Sequence, residues 1–523
     1  RLNTNLIIRM KKLTLIALGL TMGTLQAQKQ VKSTVADPQA FAKTITEAEL
    51  KEHLYTYASD EFEGRETGEP GQKMAIAYLK EQYVSLGIPA AKGGDDYFQP
   101  IALEVRKVPT GQLTMGDISM ENGSGFMGFS SFEGDFDQIV YAAYGIEEGE
   151  YSDYANIDVA GKVVLVKSGE PKDANGQFLL SGSEEASKWS NISEALSKRV
   201  AVAKEKGAVA VLFFDQANFD RYQRRFSYMK DNDSGSMGIK AMAKESMPSF
   251  FLNTDMANQM LSNIAMDHQA RVLDLPISFA VKSANKEVQS ENVVAFLKGS
   301  ELPEEYIVIS SHLDHVGVNS KGEIHNGADD DGSGTVALLE IAEAFKTAAD
   351  KGKGPKRSIV FLHVTGEEKG LLGSQYYTDV DPIFPLANTV ANLNIDMVGR
   401  IDPERKGDRN YIYLIGSDKL STELHELSEA VNEKYTKVEL DYTYNDENDP
   451  NRFYYRSDHY NFAKNNIPII FYFNGTHDDY HKPGDTPDKI NYDLLENRSR
   501  LVFYTAWELA NRANRITVDK AGK

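Results

Sequence analysis

Five residues able to bind a metal through nitrogen or oxygen follow one another in the second half of the sequence: His312, Asp330, Glu368, Asp396 and His481. Each stands where a run of strand-forming residues stops or a loop turns, and Glu367 directly precedes the third. Imidazole with carboxylate is a donor set suited to Zn2+. The charges match two ions: two Zn2+ bring +4, the carboxylates of Asp330, Glu368 and Asp396 bring −3, and a bridging hydroxide brings the fourth negative charge. If Asp330 bridges, each metal also has one histidine and one terminal carboxylate, and the shared water is the exchangeable position a catalytic site requires. Two-metal sites hold their ions about 3.5–4 Å apart and stabilise both the nucleophile and the developing oxyanion. The chemistry indicated is hydrolysis.

The neighbours of these residues sharpen the reading. His312 follows the apolar run Tyr306 to Ser311, and Asp314 is placed to accept the other imidazole N–H, fixing tautomer and ring orientation. Asp329, Asp330 and Asp331 stand together before a helical stretch. A helix N-cap accounts for Asp331, but three adjacent carboxylates need a cation or several backbone N–H groups. Glu367 and Glu368 follow a strongly apolar strand; one can ligate while the other takes a proton from water as general base. Asp396 ends the apolar run Leu393 to Met397, where a carboxylate needs compensation. The last ligand is either His477 or His481, and His481 is preferred because Lys482-Pro483-Gly484-Asp485-Thr486 follows it. His315, His325, His363 and His459 read as structural or as supports of the ligands.

These residues need a scaffold that brings strand ends together. From Ser290 onward, strand-like runs alternate with helical ones, the pattern of an α/β layer with a largely parallel sheet flanked by helices. Ligands bind beyond the carboxyl ends of strands in such sheets. Upstream, Ile45 to Leu86 is helical on both sides of a glycine-rich loop, Ser59 to Gly71; Thr44 or Thr46 could cap the first helix, and Gly87 stops the second. Between them, short strands dominate, with one amphipathic helix near Ala195 to Lys206. The expected organisation is residues 1–27 as a signal-peptide region starting at Met10, 40–125 as the N-terminal part of the catalytic domain, 126–285 as an inserted β-rich domain, and 286–515 as the catalytic domain proper.

Composition narrows the classes further. The chain has 523 residues and a net charge of −20, which argues against nucleic acid as a partner. It has no cysteine, so disulfides, thiolate metal sites and cysteine nucleophiles are excluded. Lys11 and Lys12, an apolar run from Leu13 to Leu20 and small residues ending at Ala27 read as an export signal, with residues 1–9 as an upstream extension. The run is too short to span a bilayer comfortably. Export to the periplasm, the medium or the cell surface is expected, without stable membrane insertion.

The pieces His312-Leu313-Asp314, Gly327 to Gly334, Gly366-Glu367-Glu368, Asn394 to Met397, Ser457-Asp458-His459 and His481 to Thr486 resemble the M28 zinc peptidases of the co-catalytic aminopeptidase type. The phrase from Gly161 to Gly169, the following helix and Gly207 to Val211 resemble the protease-associated (PA) domain. The resemblance implies two Zn2+ ions, one on His312 and Asp396, the other on Glu368 and His481, with Asp330 bridging and the Asp330–Asp331 peptide cis. It implies Glu367 as the base and Tyr480 or Tyr454 as the group that polarises the substrate carbonyl. The implied activity is an exported aminopeptidase acting on the N-terminus of a peptide or protein. A glutamate-releasing carboxypeptidase is the alternative, for which Arg452 and Arg456 could hold a substrate carboxylate; a glutaminyl cyclase and a non-catalytic receptor-like protein are more distant ones.

Overall fold

The computed structural model describes residues 36–521; the segment read as an export signal lies outside them. The sheet that carries the site has nine strands: β1 (Phe98–Lys107), β2 (Gly235–Ile239), β3 (Lys286–Leu297), β4 (Leu302–His312), β5 (Arg357–Val364), β6 (Thr389–Ile395), β7 (Tyr411–Ile415), β8 (Glu439–Asp441) and β9 (Ile469–Phe473). Their order is β2-β1-β3-β5-β4-β6-β9-β7-β8. The central strands β5, β4, β6 and β9 are parallel. On one side β3, β1 and β2 add antiparallel, and on the other β7 pairs antiparallel with β9. The sheet is therefore mixed, with a parallel centre. Every residue of β5 and of β6 is buried, as expected for parallel strands covered on both faces.

The covering helices are α1 (Glu47–Tyr57), α2 (Pro70–Leu86), α3 (Gly334–Asp350), α4 (Leu372–Asp379), α5 (Thr422–Tyr435) and α6 (Tyr492–Asn511). Leu54, Leu79, Phe345 and Trp507, from α1, α2, α3 and α6, share one core with Ile307, Ile309 and Phe361 of the sheet. Val308, Val360 and Leu362 point to the other face and pack with Tyr377 of α4 and Phe462. Thr46 caps α1 by accepting from Glu49 N, and Gly87 closes α2 in the left-handed conformation at φ 68°. Among the described residues no helix is long and apolar enough to cross a membrane.

The β-rich unit contains a six-stranded and a four-stranded sheet, with helices Ala195–Glu205 and Gln216–Asp231. Its extent differs from the 126–285 drawn from sequence in two ways. Strands Thr110–Met115 and Ile118–Glu121 already belong to its four-stranded sheet. Conversely β2, from within that range, leaves it and pairs with β1 from Leu103↔Ile239 to Lys107↔Gly235. An open strand edge seeks a partner, and β2 supplies one to β1.

One buried charge in this frame is poorly compensated. Glu340 of α3 is 1% exposed, and neither carboxylate oxygen accepts a hydrogen bond. His53 Nε2 is 3.5 Å away. Burial pushes the Glu340 pKa above the usual range, with His53 opposing. Below the ordinary glutamate value, about 4.3, folded and unfolded chains are both protonated there. Above it the unfolded chain ionises first, so this group subtracts stability as pH rises. Glu340→Gln is expected to stabilise the fold by about 1 kcal/mol at pH 7 and to lose the advantage near pH 4. Denaturant titrations at the two pH values check this; a variant less stable than wild type at pH 7 would mean that the His53 contact outweighs burial.

Candidate metal centre and active site

The four central parallel strands end at one place. His312 is the last residue of β4, Glu367 and Glu368 follow β5, Asp396 follows β6, and His481 lies in the loop after β9. Asp330 comes from the loop between β4 and α3. The structure thus brings together all five proposed ligands. Asp330 sits at their centre: its Oδ1 is 3.2 Å from His312 Nε2 and its Oδ2 is 3.0 Å from His481 Nε2. Asp396 Oδ1 is 3.5 Å from His312 Nε2, and Glu368 Oε2 is 3.1 Å from His481 Nε2. The Asp330–Asp331 peptide is cis.

The three adjacent aspartates divide the work. Asp331 accepts from the backbone N–H groups of His312, Gly334 and Met397, so its carboxylate is occupied. A Cβ on Gly334 would lie 2.3 Å from Asp331 Oδ1, so only glycine lets the helix start this close. Asp329 accepts from Ser333 Oγ and Gly399 N, and stands 3.2 Å from His477 Nε2. His477 is therefore engaged with Asp329, and the choice of His481 for the cluster agrees with the geometry. Asp485 closes the loop from beneath, its carboxylate accepting from the N–H groups of Asp329 and Asp330.

Support for the other ligands departs from expectation in one respect. His312 Nδ1 lies 3.0 Å from the backbone carbonyl of Asp314 and 3.8 Å from its carboxylate. The carboxylate instead accepts from Thr67 Oγ1 and Glu367 N. Asp314 thus holds His312 through its main chain and the Glu367–Glu368 loop through its side chain. Asp396 Oδ2 accepts from Ser457 Oγ at 2.6 Å, which leaves Oδ1 facing His312.

Several buried atoms here lack any hydrogen-bond partner: His312 Nε2, Asp330 Oδ2, Glu368 Oε1 and both nitrogens of His315. Buried polar groups are ordinarily satisfied, and imidazole nitrogens facing carboxylate oxygens at 3.0–3.5 Å are a donor set that fits zinc. The electrostatics agree. Against the effect of burial, Asp330 and Glu368 lift His481 to about 10. Burial pushes Glu367 well above the carboxylate range, with Glu368, Asp396 and Asp458 adding to it; burial likewise lifts Asp458 to about 7. The pocket calls for positive charge.

A narrow cavity of about 30 Å3 opens on this cluster, lined by Asp330, Glu367, Asp396 and Tyr480, with Met397, Phe453, Phe471 and Phe473 as apolar wall and Arg456 at its side. Tyr480 stacks on His481 with ring centroids 3.9 Å apart. Tyr454 is placed elsewhere, lining a separate cavity of about 320 Å3 with Arg452 and Lys419. The short helical turn Phe453–Tyr455 sends Phe453 to the site and Tyr454 away from it. His363 is bonded to Tyr83 and Ser311 in the core, and His459 to the carbonyl of Tyr454. His315 is the exception among the histidines read as structural: its Nδ1 lies 3.0 Å from Glu368 Oε1, inside the cluster.

Sequence reasoning passed over Arg65. It is 1% exposed, and its guanidinium donates to the carbonyls of Tyr57, Leu313, Asn326 and Gly327. One side chain thereby ties the loop after α1 to the loops that present His312 and Asp330. The polar run Ser59 to Gly71 was the available signal, but its partners lie far along the chain.

A mixed α/β layer thus carries paired imidazole–carboxylate clusters, able to hold two metal ions, at the carboxyl ends of its parallel strands. Residues 292–506 match the model of peptidase family M28, and residues 136–260 match that of the PA domain. A probable leucine aminopeptidase of Trichophyton verrucosum is 31% identical over 216 residues, 40% of this chain and 55% of that protein. Aminopeptidase NAALADL1 of Mus musculus is 36% identical over 109 residues, and a probable glutamate carboxypeptidase of Arabidopsis thaliana 32% over 106; these matches cover 21% and 20% of this chain and 14% of each relative. The chain therefore spans 14–55% of the length of these curated relatives. Among solved structures, the aminopeptidase from Aneurinibacillus sp. strain AM-1 aligns over 92% of this chain and 98% of its own, at 20% identity and a TM-score of 0.48.

Arg65→Met would leave the carbonyls of Tyr57 and Asn326 without a donor, while Leu313 keeps Tyr57 Oη and Gly327 keeps Gly332 N, and the loss is expected to cost about 3 kcal/mol. Because the same loops carry His312 and Asp330, zinc affinity should fall as well. Calorimetric unfolding and a chelator competition read the two effects; a variant with unchanged zinc affinity would show that Arg65 serves the fold alone.

Proposed function

We propose that the protein is a zinc-dependent exopeptidase that removes residues from the free N-terminus of peptides. The observation that carries this reading is Glu367, a half-buried carboxylate whose pKa desolvation raises, in the same cavity as Asp330, Asp396 and Tyr480. Zinc bound by His312, Asp396, Asp330, Glu368 and His481 would supply Lewis acidity and lower the pKa of water.

The chain's own groups divide the remaining work. Glu367 takes the proton of the attacking water and returns it to the leaving amine; a raised pKa suits a group that must accept and then release a proton. Burial holds the Tyr480 phenol far above its ordinary pKa, so it stays protonated and can donate to the developing oxyanion. With the charges of Asp330, Glu368 and Asp396 matched by zinc, Glu367 is the carboxylate left in the cavity to favour a substrate's α-ammonium over its carboxylate. The aromatic wall of Phe453, Phe471 and Phe473 offers apolar surface to the side chain that is removed.

A second reading rests on Arg456, which lines the same cavity. If that guanidinium received a substrate carboxylate, the enzyme would trim C-termini. Export is part of the proposal too, resting on the signal-like residues 1–27.

Zinc-loaded protein should shorten peptides stepwise from free N-termini and leave N-acetylated copies intact, as read by mass spectrometry. Glu367→Gln should reduce kcat by at least 1,000-fold, near the limit expected for losing a positioned base, about 10²–10⁴, without loss of zinc. Shortening of acetylated peptides from the C-terminus would sink the aminopeptidase reading and move attention to Arg456.

A further inference from the structure

His315 is buried completely, and neither ring nitrogen makes a hydrogen bond. Its Nδ1 is 3.0 Å from Glu368 Oε1 and 3.8 Å from Asp330 Oδ2. Glu368 Oε1 is itself without a hydrogen bond, so two buried polar atoms stand in contact without the alignment that a hydrogen bond needs. His363 shows what a structural histidine of this fold looks like: equally buried, it has a partner on each nitrogen. The ring of His315 is also held in place. Its backbone N–H donates to Arg65 O, its edge meets the ring of His481, and a Cβ on Gly327 would lie 2.5 Å from it.

We propose that His315 is a further protein ligand of the zinc held by Glu368 and His481, so that this ion has four protein ligands while the ion on His312 and Asp396 keeps the exchangeable position. Bonds of 2.0–2.1 Å in a tetrahedral shell put neighbouring donor atoms about 3.3 Å apart. The separations from Glu368 and Asp330 to His315 and His481, 3.0, 3.8, 3.1 and 3.0 Å, bracket that value. The cavity supplies an independent observation: its lining includes Asp330, Asp396 and Glu367 but neither Glu368 nor His315. Of the two terminal carboxylates, Asp396 of the His312 ion thus faces the cavity and Glu368 does not. Four protein ligands mark a retained ion, and three with an open position mark a catalytic one.

The inference rests on the two-zinc reading, and the experiment separates them. Zinc content is measured on the whole protein by mass spectrometry, imidazole ligation by zinc-edge X-ray absorption, and retention by titration with dipicolinate. Wild type is expected to hold two zincs with three imidazoles between them, one ion leaving at chelator concentrations at least tenfold above the other. His315→Phe keeps the ring volume without a ligand atom; it should lose one imidazole and the tightly held class. His315→Asn, whose amide oxygen can approach the Nδ1 position, should restore part of the retention and carries the test if the Phe variant does not fold. Thermal melts of the metal-free proteins report folding. Two zincs with only two imidazoles in wild type, or an unchanged chelation curve in both variants, would overturn the role of His315 and leave the two-zinc reading standing. A wild type that takes up a single zinc would overturn both.

Discussion

Buried negative charge at the ends of β4, β5, β6 and β9 is the constraint on which this structure depends. Asp330, Glu367, Glu368 and Asp396 converge with Asp331, Asp458 and Asp485 nearby; the five aspartates are buried and the two glutamates half-buried. Such a concentration is tolerable only when each carboxylate has an assigned counter-group. Asp331 spends its oxygens on three main-chain amides, Asp485 on two, and Asp314 on Thr67 and Glu367. The oxygens left over are the ones that face imidazole nitrogens. A ligand set is therefore defined here by subtraction: the atoms available to cations are those that the protein has not already used.

That logic also separates groups that look alike in sequence. His477 and His481 lie four residues apart, yet one meets Asp329 and the other meets Asp330 and Glu368. Glu367 and Glu368 are adjacent, yet only Glu367 lines the cavity. His481 itself takes a left-handed backbone conformation, φ 55°, which is uncommon for a residue with a side chain. Such a conformation persists where surrounding contacts determine it, and the stacked Tyr480 ring with two carboxylates at hydrogen-bonding distance are those contacts.

The parts of the site legible in sequence are those with local causes. A ligand at a strand end leaves a mark: an apolar run, then His312, Glu368 or Asp396, then glycine or a turn. The same holds for α1, α2 and their stops, and for the alternation that gives the parallel centre. What sequence could not show depends on contacts between distant positions. Arg65 reaches Leu313 across 248 residues and Gly327 across 262. Ser457 meets Asp396 across 61. His315 reads as one more histidine in a loop until Glu368 is placed beside it. The Asp314 expectation failed for a different reason: carbonyl and carboxylate of one residue are both within reach of an imidazole two positions away, and only the demand of Thr67 and Glu367 for the carboxylate decides between them. Tyr454 shows the limit of proximity in sequence, since one residue's step along a turn sends it to another cavity.

The joining of the two β-rich parts follows from the sheet edge. A domain inserted through flexible linkers would by default move relative to its host. Here β1 runs out of the catalytic sheet at its outer flank, and β2, which lies inside the matched PA range, pairs back onto it over five residues. The chain crosses between the parts in β1, around β2 and again in β3, and each crossing is fixed by ladder hydrogen bonds of one sheet. Rotating the insert as a body would break the β1–β2 ladder and expose an edge. Its orientation toward the catalytic sheet is thus set by main-chain pairing, with the packing of Met237 and Ile239 against Leu103 and Leu372 beneath it. Leu372 begins α4, the helix that follows the Glu367–Glu368 loop. The insert is therefore connected through that small core to the segment carrying Glu367.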